Sequence, residues 1–251
     1  MKSKSWPYPR IVAHRGGGTL APENTLAAMQ YGLQHGFHAV EFDVMLSRDH
    51  VPVVVHDPEL GRTVSGAGGI ADYSAAELTA MDAGSWFSAQ YAGEHLPTYR
   101  AVFDFCQENH IWMNVEIKPA PGSDEATGAA VAELSRTWLE TASHATLPPL
   151  FSSFSFEALL AAQRVAPSIA RGFLVDVVPS DWEERLRALG AVALHTNQKN
   201  LTRQLAHAVK QAGYGLFCYT VNDPTRAREL LSWGVDAFCS DRIDLIGPDF
   251  S

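Results

Sequence analysis

Short runs of β-branched and aromatic residues recur along this chain, and between most of them apolar positions fall at helical spacing. A run of four to eight such residues bounded by turn formers predicts a strand, whereas apolar residues at i, i+3, i+4 and i+7 predict a helix with one buried face. The predicted strands are residues 10–14, 39–45, 111–118, 149–153, 170–175, 191–195, 215–221 and 235–240. The predicted helices are residues 24–35, 99–109, 125–141, 156–165, 181–189, 202–212 and 224–233. Asn24 and Asp223 are residue types that cap helix starts, and Pro224 suits a first helical position.

Alternation of strand and helix requires a parallel sheet, and about eight strands close a barrel. The expected fold is therefore α/β, a TIM (β/α)8 barrel with a small insertion after the second strand, in a single domain over residues 1–251. A doubly wound open sheet is the competing architecture. It would show a spaced glycine fingerprint after the first strand, which Gly16-Gly17-Gly18 lacks, as it lacks the Gly-Lys-Ser/Thr of a P-loop. The stretch from about 57 to 97 is too long for an ordinary connection and rich in glycine and small polar residues. It carries Trp86 and Phe87 and is read as an insertion on the barrel mouth, either a lid or small subdomain, or a surface excursion without a role.

Alternation also locates candidate chemistry. In Val40-Glu41-Phe42-Asp43-Val44 both carboxylates fall on one strand face and the apolar residues on the other. The apolar face of a barrel strand meets the helices, so Glu41 and Asp43 point inward or toward the rim, where like charges are costly without a cation. Glu116 and Lys118 share a face in the same way. Three convergent carboxylates form an all-oxygen site suited to one hard divalent cation, Mg²⁺ or Ca²⁺. The alternative is an internal ion-pair network of carboxylates and lysine. His14 and His56 end apolar runs at the same mouth if residues 51–55 run back beside the preceding strand, and a pair of imidazoles there can act as general acid and base. Arg15 offers a planar donor pair for a phosphodiester, or else a rim ion pair, and Lys118 adds a second positive charge.

Composition narrows the partners. Hydrophobic residues make up 46% and charged residues 19% of the 251, the balance of a globular chain. The net charge of -9 repels phosphate backbones and anionic lipid, so neither nucleic acid nor a membrane is an expected partner. The cysteines, Cys106, Cys218 and Cys239, are scattered in apolar sequence and suit free thiols of a reducing compartment. The N-terminal stretch from Met1 to Pro7 lacks the apolar run of a signal or a span, so a cytoplasmic protein is expected.

Taken together, His14-Arg15-Gly16, Pro22-Glu23-Asn24-Thr25, Glu41-x-Asp43, His56-Asp57 and Glu116-x-Lys118 resemble the glycerophosphodiester phosphodiesterase family in order and spacing. The resemblance continues through Ser152-Ser153-Phe154, Tyr219-Thr220-Val221-Asn222 and Trp233-Gly234-Val235-Asp236. The opening from Trp6 to Gly18 and the closing Ile246-Gly247-Pro248 resemble the cytoplasmic bacterial branch linked to glycerol phosphate uptake. It implies a TIM barrel that hydrolyses glycerophosphodiesters such as glycerophosphocholine and glycerophosphoethanolamine to sn-glycerol 3-phosphate and an alcohol. It also implies that Glu41, Asp43 and Glu116 bind the metal and that His14 and His56 form the acid and base pair. Arg15 and Lys118 would hold phosphate oxygens, and Phe154 and Tyr219 would wall the glycerol end. The family often has Trp at Tyr219 and Thr at Ser240. The expected route runs through a cyclic phosphate, with His14 as the first base and His56 as the acid. A non-catalytic glycerophosphodiester-binding barrel and a related phospholipase or lyase acting on lipid are the rival functions.

Overall fold

The computed structural model describes residues 6–141 and 147–251. Residues 1–5, part of the stretch read for a targeting segment, lie outside the described residues. The chain begins with β1 (Ile11–Ala13), α1 (Leu26–Gln34), β2 (Ala39–Leu46), β3 (Pro52–Val54), α2 (Ala75–Leu78) and α3 (Tyr99–Glu108). It continues with β4 (Trp112–Ile117), α4 (Asp124–Thr141), β5 (Leu150–Ser153), α5 (Phe156–Val165), β6 (Ala170–Val175) and α6 (Trp182–Leu189). The last elements are β7 (Ala193–Asn197), α7 (Arg203–Gln211), β8 (Gly215–Tyr219), α8 (Pro224–Ser232) and β9 (Ala237–Ser240).

Strands β1, β2 and β4 to β9 pair in parallel in chain order, and β9 returns to β1 to close the TIM barrel. β3 runs antiparallel on β2 outside this circle, as the expected return of residues 51–55 requires. Side chains on the outer faces of the strands, among them Val40, Phe42, Val44, Val115 and Leu194, pack with the helices into the main core. The alternation read from the sequence therefore holds at β2: its apolar residues face the helices and its carboxylates the lumen.

Helix starts follow side-chain chemistry. Thr25, Thr98, Ser155, Thr202 and Asp223 each accept a hydrogen bond from a backbone N–H in the first turn of the following helix. Asp223 and Pro224 behave as expected, but Asn24 does not cap α1. Thr25 does that work, and Asn24 adopts a left-handed φ of 60° that turns its amide toward the lumen. Between β3 and α3 the chain folds on itself around α2, with Met45, Val53, Val55, Val64, Ile70, Leu78, Ala83 and Leu96 forming a separate small core. None of the described helices is long and apolar enough to cross a membrane.

Candidate active site at the barrel mouth

β2 and β4 lie side by side with Glu41 opposite Asn114 and Asp43 opposite Glu116, so the period-two alternation of two strands delivers three carboxylates to one patch of lumen. One oxygen from each of Glu41, Asp43 and Glu116 lies within 4.8 Å of the others. Oxygens sharing one hard cation at about 2.3–2.6 Å sit no farther apart than about 5 Å, so the spacing fits a single divalent ion. The electrostatics fit as well. Burial and the neighbouring Asp43 push Glu41 up to about 7, and burial with Asp43 and Glu41 pushes Glu116 well above the carboxylate range. Burial alone would raise Asp43 too, but Lys118 and Arg15 and a hydrogen bond from Asn24 hold it below its ordinary value. Such a cluster is repulsive without a cation and compensated with one.

Cations and amides fix the cluster from outside. Lys118 Nζ and Arg15 Nε each lie 3.5 Å from an Asp43 carboxylate oxygen. Arg15 also donates from its backbone N–H to Glu41 Oε2 at 3.2 Å and from Nη1 to Glu23 Oε1 at 2.6 Å. Its Nε makes no hydrogen bond although it is buried. Arg15 holds a left-handed φ of 50°, a conformation that costs a non-glycine residue about 1 kcal/mol or more and is retained where the surroundings over-determine it. Asn24 Nδ2 donates to Asp43 Oδ2 at 2.9 Å, while Asp43 N–H donates to Asn24 Oδ1 at 3.2 Å.

Each histidine is half of a dyad. His14 follows β1 directly, and its Nδ1 lies 2.5 Å from Asp241 Oδ1, with Nε2 3.7 Å from Glu41 Oε2. Asp241 follows β9 and reaches His14 because the barrel closes there. Its backbone packs so near Gly18 that a Cβ at that position would lie 2.1 Å from the Asp241 carbonyl. His56 follows β3, and its Nδ1 lies 2.7 Å from Asp57 Oδ1. A carboxylate on Nδ1 leaves Nε2 of each ring for substrate chemistry.

The hydrogen bonding behind the two rings differs. Asp57 is shared with Arg62, whereas among the described residues the second side chain hydrogen-bonded to Asp241 is the neutral Asn222. Accordingly, burial alone would lower His14, but the Asp241 hydrogen bond and Glu41 outweigh it and raise the group. Burial lowers His56 despite Asp43 nearby.

His14, Arg15, Glu41, Asp43, His56, Glu116 and Lys118 open on one cavity of about 210 Å³. Its walls include Phe154, Tyr219, Leu174, Phe217 and His195. Phe154 and Tyr219 meet edge to face with ring centroids 5.8 Å apart, and the Tyr219 hydroxyl donates to the Val175 carbonyl. The sites expected from the sequence, His14, Arg15, Glu41, Asp43, His56, Glu116, Lys118, Phe154 and Tyr219, thus all line this one cavity. Sequence reasoning missed Asp241, Asn24 as a ligand support, and the roles of Glu23 and Asp57 behind Arg15 and His56. Glu23, Asn24 and Asp57 stand inside motifs already noticed; Asp241 carries no local signal.

Comparison with known proteins agrees with this geometry. Residues 14–245 match the glycerophosphoryl diester phosphodiesterase family. The glycerophosphodiester phosphodiesterase of Caldanaerobacter subterraneus subsp. tengcongensis is 31% identical, over 92% of this chain and 93% of its own. Among solved structures, an Oleispira antarctica phosphodiesterase in complex with the product sn-glycerol-3-phosphate is 41% identical, with a TM-score of 0.87 and 93% of both chains covered. A glycerophosphodiester phosphodiesterase from Agrobacterium tumefaciens is 29% identical, with a TM-score of 0.78, covering 95% of this chain and 98% of that one.

Proposed function

We infer that this chain, which belongs to the glycerophosphoryl diester phosphodiesterase family, hydrolyses glycerophosphodiesters to sn-glycerol 3-phosphate and an alcohol. The observation that carries the reading is one cavity in which a three-carboxylate cluster, with Glu41 and Asp43 buried and Glu116 half-buried, is flanked by two imidazole–carboxylate dyads. Glu41, Asp43 and Glu116 would hold one divalent cation, Mg²⁺ or Ca²⁺, which when bound supplies positive charge to the phosphodiester and its transition state. Arg15 and Lys118 hold phosphate oxygens, and Phe154 and Tyr219 wall the carbon skeleton of the glycerol end.

The dyads divide the proton transfers. A carboxylate with no guanidinium bound to it favours an imidazolium, so His14 is the donor; Asp57 is already paired with Arg62, so His56 is the acceptor. This reverses the order assigned from the sequence. His56 takes the proton of the glycerol 2-hydroxyl, whose oxygen attacks phosphorus, while His14 protonates the departing alcohol oxygen as its bond to phosphorus breaks. A cyclic glycerophosphate results. Water then opens the ring, giving its proton to His14 while His56 returns a proton to the 2-oxygen.

The three buried, unpaired cysteines support a reducing, cytoplasmic setting. The test is release of sn-glycerol 3-phosphate from glycerophosphocholine and glycerophosphoethanolamine, with Mg²⁺, with Ca²⁺ and with chelator. Release that needs the cation and a cyclic glycerophosphate trapped during turnover are expected. No release under any metal would defeat the function, and turnover of a substrate lacking the 2-hydroxyl would defeat the cyclic route.

A further inference from the structure

Within the segment between β3 and α3, the Arg62 guanidinium bridges two of the carboxylates that stand behind the active site. Its Nε donates to Asp57 Oδ2, its Nη1 to Glu23 Oε2 at 2.7 Å and its Nη2 to Glu23 Oε1 at 2.8 Å. Those two carboxylates are the ones that orient His56 and Arg15, at 2.7 Å and 2.6 Å. The chain Arg15, Glu23, Arg62, Asp57, His56 therefore starts and ends on the same cavity.

The insertion, not the barrel, places the guanidinium. Arg62 sits in a tight loop closed by Gly61 N–H to the Val64 carbonyl at 2.8 Å and by Leu60 N–H to the Gly68 carbonyl at 2.9 Å. Val64, two residues on, is buried in the insertion's own core beside Val53, Ile70 and Leu78. A part-exposed ion pair by itself would be a weak surface staple. Here, however, one rigid fork holds two carboxylates that would otherwise repel each other; Asp57 holds His56 on its other oxygen, and Glu23 Oε1 accepts from Arg15 as well as from Arg62. A lysine ammonium cannot span both in that geometry. If Asp57 is released, nothing described on the Nδ1 side of His56 fixes which nitrogen carries the proton or how the ring faces the cavity.

We propose that Arg62 is a positioning residue of the reaction proposed above, acting on His56 through Asp57 and on Arg15 through Glu23. The insertion is then a working part of the active site rather than a surface excursion.

The experiment compares Arg62→Met, Arg62→Lys and Arg48→Met in the full chain. Arg48 joins the turn after β2 to the same insertion, through the Asp72 carbonyl and Glu77 Oε2, without touching a functional group. With glycerophosphocholine and cation, Arg62→Met should lower kcat about 10- to 100-fold with KM changed less than about threefold, the size expected for misplacing a reacting group by about 1 Å. Arg62→Lys should recover little of this and Arg48→Met should keep wild-type kcat. In an Asp57→Asn background, Arg62→Met should cost much less than it does alone.

Imidazole ¹⁵N spectra give a readout independent of turnover: His56 should show one fixed tautomer in the wild type and averaging in Arg62→Met. Unchanged spectra, rescue by lysine, an equal loss in Arg48→Met, or independent effects of Asp57→Asn and Arg62→Met would each reduce Arg62 to a staple. An inactive wild type with the spectral change intact would instead defeat the proposed reaction while leaving the positioning role standing.

Discussion

The two ends of the barrel lumen are built from opposite materials. Toward the end where the strands begin, Val12, Ala39, Trp112, Leu150 and Ala237 form an apolar plug. The N-terminal segment covers it: Tyr8 stacks on Trp112 at 4.6 Å, and Trp6 packs on Tyr8 and so close to Gly215 that a Cβ there would lie 2.8 Å from its ring. At the other end lie three acids, Glu41 and Asp43 buried and Glu116 half-buried, with two cations and two imidazoles. One end has nothing to gain from a ligand. The other is left with uncompensated charge until one arrives, which is how a rigid scaffold separates what holds it together from what it does.

Substitution at Glu41 tests that separation most severely. Glu41→Gln should lower cation-dependent turnover by about a thousandfold or more, since it removes a ligand at the centre of the charge. In chelator the same variant should be more stable than the wild type. Glu41 is raised in the fold from 4.5 to about 7, so its contribution to metal-free stability is full below pH 4.5 and is lost as pH rises through 7. That loss is on the order of 3 kcal/mol, and urea unfolding in chelator at pH 5 and pH 8 reads it. A variant less stable than wild type at pH 8 would mean that the acids form a structural network.

The two dyads give the next largest effect. His14→Ala should slow hydrolysis of glycerophosphocholine by about 10²- to 10⁴-fold. The nitrophenyl ester of glycerol phosphate, whose leaving group departs without a proton, should recover most of that loss. His56→Ala should stay slow on both substrates. The opposite pattern would restore His14 as the base.

The apolar end should answer in stability alone. Trp112 is buried, and its indole N–H reaches the Pro148 carbonyl at 3.1 Å. Trp112→Ala should cost about 3–5 kcal/mol in urea unfolding, with kcat per folded molecule unchanged. A large fall in kcat at temperatures where the variant stays folded would show that the two ends are coupled.

How much of this was legible in the sequence follows from how local each signal is. The paired carboxylates of Glu41-Phe42-Asp43 announce themselves because strand alternation is a two-residue rule, and the structure places both in the lumen. Strand ends were less legible. β7 runs to Asn197 rather than stopping at His195, because pairing with β8 extends it through polar residues that break an apolar pattern. Asp241 lies 227 residues from His14, and only closure of β9 on β1 brings them together. Asn24 looked like a cap because its type and place were right, yet a hydrogen bond to Asp43, 19 residues on, competes with capping and wins. The aromatic floor under the barrel was equally silent, since Trp6 and Tyr8 belong to no periodic segment.

His195 lies where the two ends meet, and it belongs fully to neither. It is wholly buried, stacked on Phe217 at 4.6 Å, and neither ring nitrogen has a hydrogen-bond partner. Gly172 makes room for it, since a Cβ there would lie 2.3 Å from Nε2. Burial lowers the group from 6.5 to about 3, so the fold requires a neutral ring. The unfolded chain takes up a proton below pH 6.5 and the fold does not, so stability present above pH 6.5 is lost as pH falls toward 3. Between pH 6.5 and pH 4 that loss is roughly 3 kcal/mol. His195→Leu, close in volume and unable to titrate, should remove this part of the acid slope in urea unfolding while changing stability at pH 8 by only about 1 kcal/mol. An acid slope identical to the wild type would mean that His195 finds a partner for its proton in the lumen. The ring would then belong with the charged end of the barrel.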